Sequence, residues 1–305
     1  MEKAIRSPFF YVGDKYKIIN QIKEFMPEKI NRYYEPFVGG GSSFLNIKAN
    51  HYYLNDINDK VIELHNYLSS NSCKDYKIIE KIIEKIKEYK LSCSFIGETV
   101  PPELKQEFKK TYYSKYNKEA YTFLKDVYNK NNCQDSLLLY ILLIYGFNHM
   151  IRFNKNGVFN LPVGNVDFNK NVFEALKNYI QFSLQNDIEF ENKDYINFMK
   201  DKHLNNDDFV YLDPPYLISS SEYNKLWNED KEKELYDFLD ELDKKNIKFG
   251  ISNLLTHKGR ENNILKNWME KYKIYEINSN YISRFDNSIK KDSREVYITN
   301  YEKEN

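Results

Sequence analysis

Apolar runs and helical spacings alternate at both ends of this chain, and that alternation constrains its fold more than any other feature. Residues 32–68 read as a short apolar strand in RYYEPFV, a glycine turn, a second strand in HYYLNDIND (51–59) and a helix in KVIELHNYL (60–68). Strands and helices taken in turn build a parallel sheet, because each return to the same edge needs a crossover. The alternation resumes near Asp187 with the strands DIEFENKDY and DFVYLDPPY. The amphipathic segment KEKELYDFLDELDKKN (231–246) follows, with Leu235, Phe238, Leu239 and Leu242 on one face. IKFGISNL reads as a strand, NNILKNWMEKY as a helix, and KIYEINS and REVYITNY as alternating strands that pair as a closing hairpin. Between these ends, residues 69–185 carry helical patterns, among them SLLLYILLIYGF (136–147), an apolar helix expected to be buried. The predicted fold is a doubly wound α/β sheet from residues 1–68 and 186–305, interrupted by a helical insertion over 69–185. Two shorter helices are also expected, one over 14–27 on Ile18, Ile19, Ile22 and Phe25, the other beginning at Phe44, Leu45 and Ile47.

Composition narrows the class. The chain has 305 residues, enough for one main domain and a smaller one. Its formal net charge is +0, so global charge carries no nucleic-acid signal. Tyrosine is abundant, at 27 residues. Many of these rings are expected to be partly exposed, since a buried phenol needs a hydrogen-bond partner. In LKQEFKKTYYSKYNKEAY (104–121), Lys105, Lys109, Lys110, Lys115 and Lys118 mix with Tyr112, Tyr113, Tyr116 and Tyr121. That mixture suits either a phosphate-contacting face or an amphipathic helix. Cys73, Cys93 and Cys133 form no CxxC pair, which argues against a zinc site or a disulfide framework. No apolar leader and no run near the ~20 residues of a membrane span is present, so a cytoplasmic location with no membrane partner is expected.

Three stretches carry candidate chemistry. In YYEPFVGGGSSF (33–44), Gly39, Gly40 and Gly41 follow a strand, where glycine lets a backbone approach a ligand closely. No Gly-Lys-Ser/Thr follows, so this is not a nucleotide-triphosphate loop, and the G-x-G-x-x-G spacing is missing. A tight structural turn accounts for it equally well. Asp56 ends the next strand about 20 residues later, where an acid can accept bonds from ribose hydroxyls; it can also serve as a helix cap. In FVYLDPPYLI (209–218), Asp213 ends an apolar strand, Pro214 and Pro215 stiffen the next step, and Tyr216 follows. A carboxylate and the Pro214 carbonyl can each accept a hydrogen bond from one exocyclic amino group, and Tyr216 offers a flat face for a ring. An Asp-Pro turn closing a strand is the plainer alternative.

LDPPY, YEPFVGGGS, YYLNDIN and the opening FYVGDKYKII together resemble the Dam/DpnM-type adenine-N6 DNA methyltransferases. The likeness runs through nearly the whole chain. GFNHMIRFNKNGVFNLPVG resembles that family's hairpin, expected here as a β-hairpin near 151–164, and REVYITNY resembles its last strand. The resemblance implies a Rossmann-like, S-adenosylmethionine-dependent methyltransferase sheet with an inserted, mostly helical target-recognition domain. It implies cofactor contacts from Tyr11, Gly13 and Lys15 at the methionine part, and from Glu35, Phe37, Gly39 and Gly41. Asp56 would bind the ribose, and Asp194 would lie on the adenine side, with Asp213 also beside the cofactor. Phe10, Tyr11 and Asp14 depart from the family's usual Lys, Trp and Gly.

The implied reaction moves a methyl group to adenine N6 in double-stranded DNA after the base is rotated out of the helix. Asp213, Pro214, Pro215 and Tyr216 would grip the base, and the loop ISSSEYNKLW (218–227) would close over it. Arg152 would contact a guanine, with Asn154, Lys155, Asn156 and Asn160 as further DNA contacts; a phosphate clamp or a salt bridge is the alternative for Arg152. The resemblance suggests GATC as the site, a monomeric enzyme, and a cognate restriction endonuclease as partner. The rivals are a methyltransferase acting on RNA, a NAD-dependent oxidoreductase, and a DNA-binding module with an inactive site.

Overall fold

Among the described residues, eight strands pair into one sheet: β1 (Arg32–Glu35), β2 (His51–Asn55), β3 (Asp187–Glu191), β4 (Phe209–Leu212), β5 (Lys248–His257), β6 (Arg260–Glu261), β7 (Lys273–Ile277) and β8 (Arg294–Thr299). The computed structural model describes residues 3–71, 76–219, 227–278 and 293–303. The strand order is β3-β2-β1-β4-β5-β8-β7, with β6 on β5. β1 to β5 pair in parallel, and β8 runs antiparallel between β5 and β7. The expected pairing of β7 with β8 is present, from Lys273↔Thr299 to Ile277↔Glu295. The helices are α1 (Ile19–Ile22), α2 (Asp59–Asn71), α3 (Lys77–Glu88), α4 (Pro102–Glu107), α5 (Tyr112–Lys130), α6 (Ser136–Tyr145), α7 (Lys170–Gln185), α8 (Tyr195–Lys200), α9 (Glu229–Lys244) and α10 (Asn263–Trp268). Among the described residues, no helix is long and apolar enough to cross a membrane.

The chain folds as two compact units. A sheet unit contains Lys15–Val38, Asn46–Ile57 and Asp187–Asn305; a helical unit contains Met1–Asp14, Gly39–Leu45 and Asn58–Asn186. The sheet unit buries one face of its strands under α8, α9 and α10, where Tyr34, Val210, Leu212, Phe249, Ile251 and Ile298 meet Leu235, Leu239 and Trp268. The opposite face carries Tyr33, Tyr211 and Tyr297, all fully buried. Gly250 is required there: a Cβ on it would lie 2.0 Å from the Tyr297 hydroxyl oxygen.

In the helical unit, α6 is buried from Leu138 to Tyr145, as its apolar run predicts. Its start is capped by Asp135, which accepts from the Leu138 amide at 3.0 Å. The expectation grouped α2 with the sheet, whereas α2 packs on α6 and α7. The cause is visible in His65 of α2, whose Nδ1 lies 2.9 Å from the Tyr179 hydroxyl of α7.

Several sequence expectations need correction. The helix expected after the glycine turn is only a 3-10 turn over Phe44–Asn46, because Phe44 and Leu45 both turn into the core. The helix over 14–27 shrinks to α1 followed by a 3-10 turn at Lys23–Phe25. The hairpin near 151–164 is present but shorter than expected: Phe153 and Phe159 form an antiparallel bridge, the Asn154 amide donates to the Val158 carbonyl and the Asn160 amide to the Arg152 carbonyl, without regular strands. Many tyrosines are buried rather than exposed. Tyr52, Tyr121, Tyr128, Tyr140 and Tyr145 each donate to a backbone carbonyl, which removes the cost of burying a phenol. The lysine and tyrosine stretch spans the end of α4, a turn and the amphipathic start of α5, with Asn117 and Tyr121 buried and Lys115 and Lys118 exposed.

Candidate active site

The four parallel strands β1 to β4 end on one edge of the sheet. Strand order reverses between β1 and β4, which makes this the switch point, the usual ligand position in such sheets. Asn55, fully buried at the end of β2, ties the edge together. Its Nδ2 donates to the carbonyls of Pro36 and Lys193 at 3.0 Å each, and its Oδ1 accepts from the Lys193 amide at 3.0 Å. Phe37 packs its ring 5.1 Å from Tyr195 and 5.8 Å from Trp227. Glu35, also buried, accepts from the Tyr33 hydroxyl at 3.1 Å. Asp56 follows directly after β2. At the start of α2, Asn58 accepts from the Lys60 amide at 3.1 Å, as a cap does. Asp194 itself caps α8, accepting from the Ile196 amide at 3.0 Å.

At the end of β4 four polar side chains converge. Lys15, 6% exposed, lies just before α1 and places Nζ 2.7 Å from Asp213 Oδ1 and 3.8 Å from Glu295 Oε1. The Tyr216 hydroxyl lies 3.1 Å from the same Asp213 oxygen and 2.9 Å from Glu295 Oε1. The Lys15 ammonium also sits 4.9 Å from the centre of the Tyr216 ring, within cation–π range. Removal from water pushes the Asp213 carboxyl above its ordinary range, and the Lys15 ammonium opposes that rise. The arrangement can hold a carboxylate and a phenol ring in fixed orientation and accept hydrogen bonds from a polar ligand. Pro214 is buried and Pro215 half-buried beside them. Of the loop 218–227, residues 220–226 lie outside the described residues. Trp227, at its end, is fixed by Nε1 donating to the buried Glu232 at 2.5 Å.

In the helical unit the glycine turn is held from behind. His65 Nε2 lies 2.9 Å from the Gly39 carbonyl, and the Ser7 hydroxyl donates to the Gly40 carbonyl. Burial lowers the His65 pKa to about 4, so the ring is neutral. Since a carbonyl only accepts, Nε2 must carry the proton and Nδ1 must accept from Tyr179. In a trans peptide the N–H points opposite to the C=O. The amides of Gly40 and Gly41 are therefore directed away from His65 and Ser7. Side chains are excluded here: a Cβ on Gly40 would meet Tyr11 at 2.6 Å, and one on Gly41 would meet Phe44 at 2.4 Å. Gly13, at φ +83°, turns the chain after Tyr11.

The loop around 152–160 satisfies itself. Asn154 Oδ1 accepts from the amides of Asn156 and Val158, and Gly157 takes φ +72°. Arg152 donates from Nε to Asn160 Oδ1 at 2.9 Å and from Nη2 to the Asn160 carbonyl at 2.8 Å. Lys155 and Asn156 are exposed at its tip.

The family model described as D12 class N6 adenine-specific DNA methyltransferase matches residues 11–282 of this chain. The chain belongs to that family. It is similar to the modification methylase StsI of Streptococcus sanguinis, 34% identical over 311 residues, covering 99% of this chain and 44% of that protein. The Type II methyltransferase M.FokI of Planomicrobium okeanokoites is 34% identical over 97% of this chain and 43% of its own length. The DNA adenine methylase of Escherichia coli (strain K12) is 29% identical over 73% of this chain and 69% of its own length. The chain thus spans under half the length of the first two relatives.

Sequence reading singled out Asp213, Tyr216 and Lys15, which the structure brings together, and did not single out Glu295, which joins them. That residue sits in β8, 2% exposed, in one buried row with Tyr297 and Thr299. In the sequence Glu295 alternates with apolar Val296 and Ile298, so it reads as part of the polar face, and the burial of both faces of β8 hides it.

Proposed function

We propose that this chain transfers a methyl group from S-adenosylmethionine to adenine N6 in double-stranded DNA. The observation that carries the reading is the Asp213, Lys15, Tyr216 and Glu295 cluster at the end of β4, beside the sheet's switch point, in a chain of the D12 class. The sheet edge suits the cofactor chemically: Asp56 brings a carboxylate for ribose hydroxyls and Phe37 an aromatic wall. Within the proposal Glu35 supports the β1 loop, and Asp194 acts there as the cap of α8. Tyr11, Gly13, Gly39 and Gly41 serve the methionine part, with the Gly40 and Gly41 amides as donors. When bound, the cofactor supplies a methyl on a cationic sulfur, so the amino nitrogen that accepts it turns cationic until it sheds a proton. Asp213 and the Pro214 carbonyl orient the amino group, Pro215 fixes the carbonyl's direction, and Tyr216 supports the ring of a base rotated out of the duplex.

Arg152 is assigned the guanine contact in the DNA site. Asn160 holds the guanidinium fork by two hydrogen bonds, which leaves the Nη1 donors to meet a guanine edge. Asn154, Lys155 and Asn156 flank it. We also propose a monomer that protects a site, with GATC as one such sequence, against a cognate endonuclease. The test is methyl transfer by purified Asp213→Ala. It is expected to lose methylation by about 1000-fold or more while binding S-adenosylmethionine nearly normally. Full methylation by that variant would end the assignment.

A further inference from the structure

We infer that Glu295 is a positioning residue for methyl transfer: through the Tyr216 hydroxyl and the Lys15 ammonium it pins Asp213 Oδ1, leaves Oδ2 to the target amino group, and keeps the cluster negatively charged. The inference rests on the reading of Asp213 given above.

Both donors on Asp213 Oδ1 are shared with Glu295. Tyr216 lies 3.1 Å from one acid and 2.9 Å from the other, and Lys15 lies at 2.7 and 3.8 Å. A phenol carries one proton and can donate to only one acid at a time. Glu295 therefore sets how much of that proton, and of the ammonium, Asp213 receives. Among the described residues, every hydrogen bond to the Asp213 carboxylate falls on Oδ1 and none on Oδ2. One oxygen is thus held by the protein while the other keeps its acceptor capacity, which is what an N–H donor needs.

Charge adds a second consequence. Two carboxylates and one ammonium leave a net charge of −1 in a site where Lys15 and Glu295 are almost wholly withdrawn from water. The amino nitrogen gains positive charge as it accepts the methyl group. A fixed negative cluster in a poorly solvated place stabilises that developing charge more than it stabilises the neutral amine. Removing the charge of Glu295 would make the cluster neutral and let Lys15 and Tyr216 belong wholly to Asp213, so that carboxylate becomes a weaker acceptor. Glu295 contacts the amino group in neither step; it acts through its two neighbours.

The test compares E295Q, E295D and D213A with the parent enzyme in single-turnover methylation of duplex DNA. Dissociation constants for S-adenosylmethionine and DNA are measured in parallel, as is the cofactor-independent response of a fluorescent purine analogue at the target position. E295Q is expected to slow the chemical step about 100-fold, the scale of one lost transition-state contact. Its affinities and its base-extrusion signal should stay within about threefold of the parent. E295D, which keeps the charge, is expected to stay within about tenfold of the parent rate. A parental rate in E295Q, equal losses in E295Q and E295D, or a loss confined to DNA affinity would each overturn the inference. Should E295Q fail to fold, Y216F carries the test: an unchanged single-turnover rate there overturns it, and a slowed rate with parental affinities supports it. A fully active D213A would instead remove the reading of Asp213 itself, whereas an inactive D213A beside an unimpaired E295Q removes only the role of Glu295.

Discussion

The Asp213 cluster and the loop at 152–160 are both built from polar side chains, yet they differ in kind. At the end of β4 two carboxylates share one ammonium and one phenol, with Lys15 and Glu295 below a tenth exposed. None of these groups can be removed without stranding another. In the loop, Asn154 satisfies backbone amides two and four residues on, and Arg152 is held by Asn160, all near solvent. A side chain lost there is replaced by water. The first arrangement suits chemistry that must not vary. The second suits recognition, where residues can change without loss of the fold.

The largest expected effect comes from breaking the cluster. Lys15→Met leaves two acids facing each other out of water and should lower unfolding stability by about 3–5 kcal/mol, read from urea denaturation. A change below about 1 kcal/mol would mean that water already screens the site.

The helical unit supplies a contrast through pH. His65 has its pKa lowered to about 4 by burial, so folding favours the neutral ring. Stability from this source is full above about pH 6.5 and is lost as pH falls through about 4, by roughly 3 kcal/mol in all. His149 is lowered to about 4 for the same reason, so H65Q should remove only part of the slope in melting temperature between pH 7 and pH 4. An unaltered slope in H65Q would place the effect entirely elsewhere.

Gly250→Ala should cost about 1–3 kcal/mol by driving a methyl group into the buried Tyr297 hydroxyl. Calorimetric melting checks it, and parental stability would show that β8 can give way. Asp56→Ala should weaken S-adenosylmethionine binding about tenfold, or about 1.4 kcal/mol, by titration calorimetry. Equal affinity would move ribose binding to another residue. The smallest effect on folding is expected at Arg152→Ala, about 0.5 kcal/mol or less, while the sequence context of methylated adenines relaxes. Unchanged context would discard the guanine contact.

What the sequence made legible follows the same divide. Asp213, Pro214 and Tyr216 were readable because a strand ending in Asp-Pro-Pro-Tyr is a local pattern whose chemistry lies in adjacent residues. The parallel sheet was readable from periodicity. Glu295 was not, since its role depends on β8 pairing with β5 as well as with β7, and no local signal specifies the β5 pairing. Lys15 was singled out, but its acid partner lies far along the chain and only the fold joins them. The helix expected after Gly41 failed because Phe44 and Leu45 are both drawn into the core, and a single 3-10 turn accomplishes that. The allegiance of α2 was hidden for a related reason: His65 reads as a surface residue until Tyr179 and Gly39 surround it.

The central claim is that this cluster serves methylation of adenine in DNA, and the most direct test is expression in a host free of DNA methylation, followed by long-read mapping of modified bases. The account predicts N6-methyladenine at one recurring sequence with the parent chain and none with Asp213→Ala. Genomic DNA without N6-methyladenine despite folded, cofactor-binding protein, or equal methylation by the variant, would contradict it.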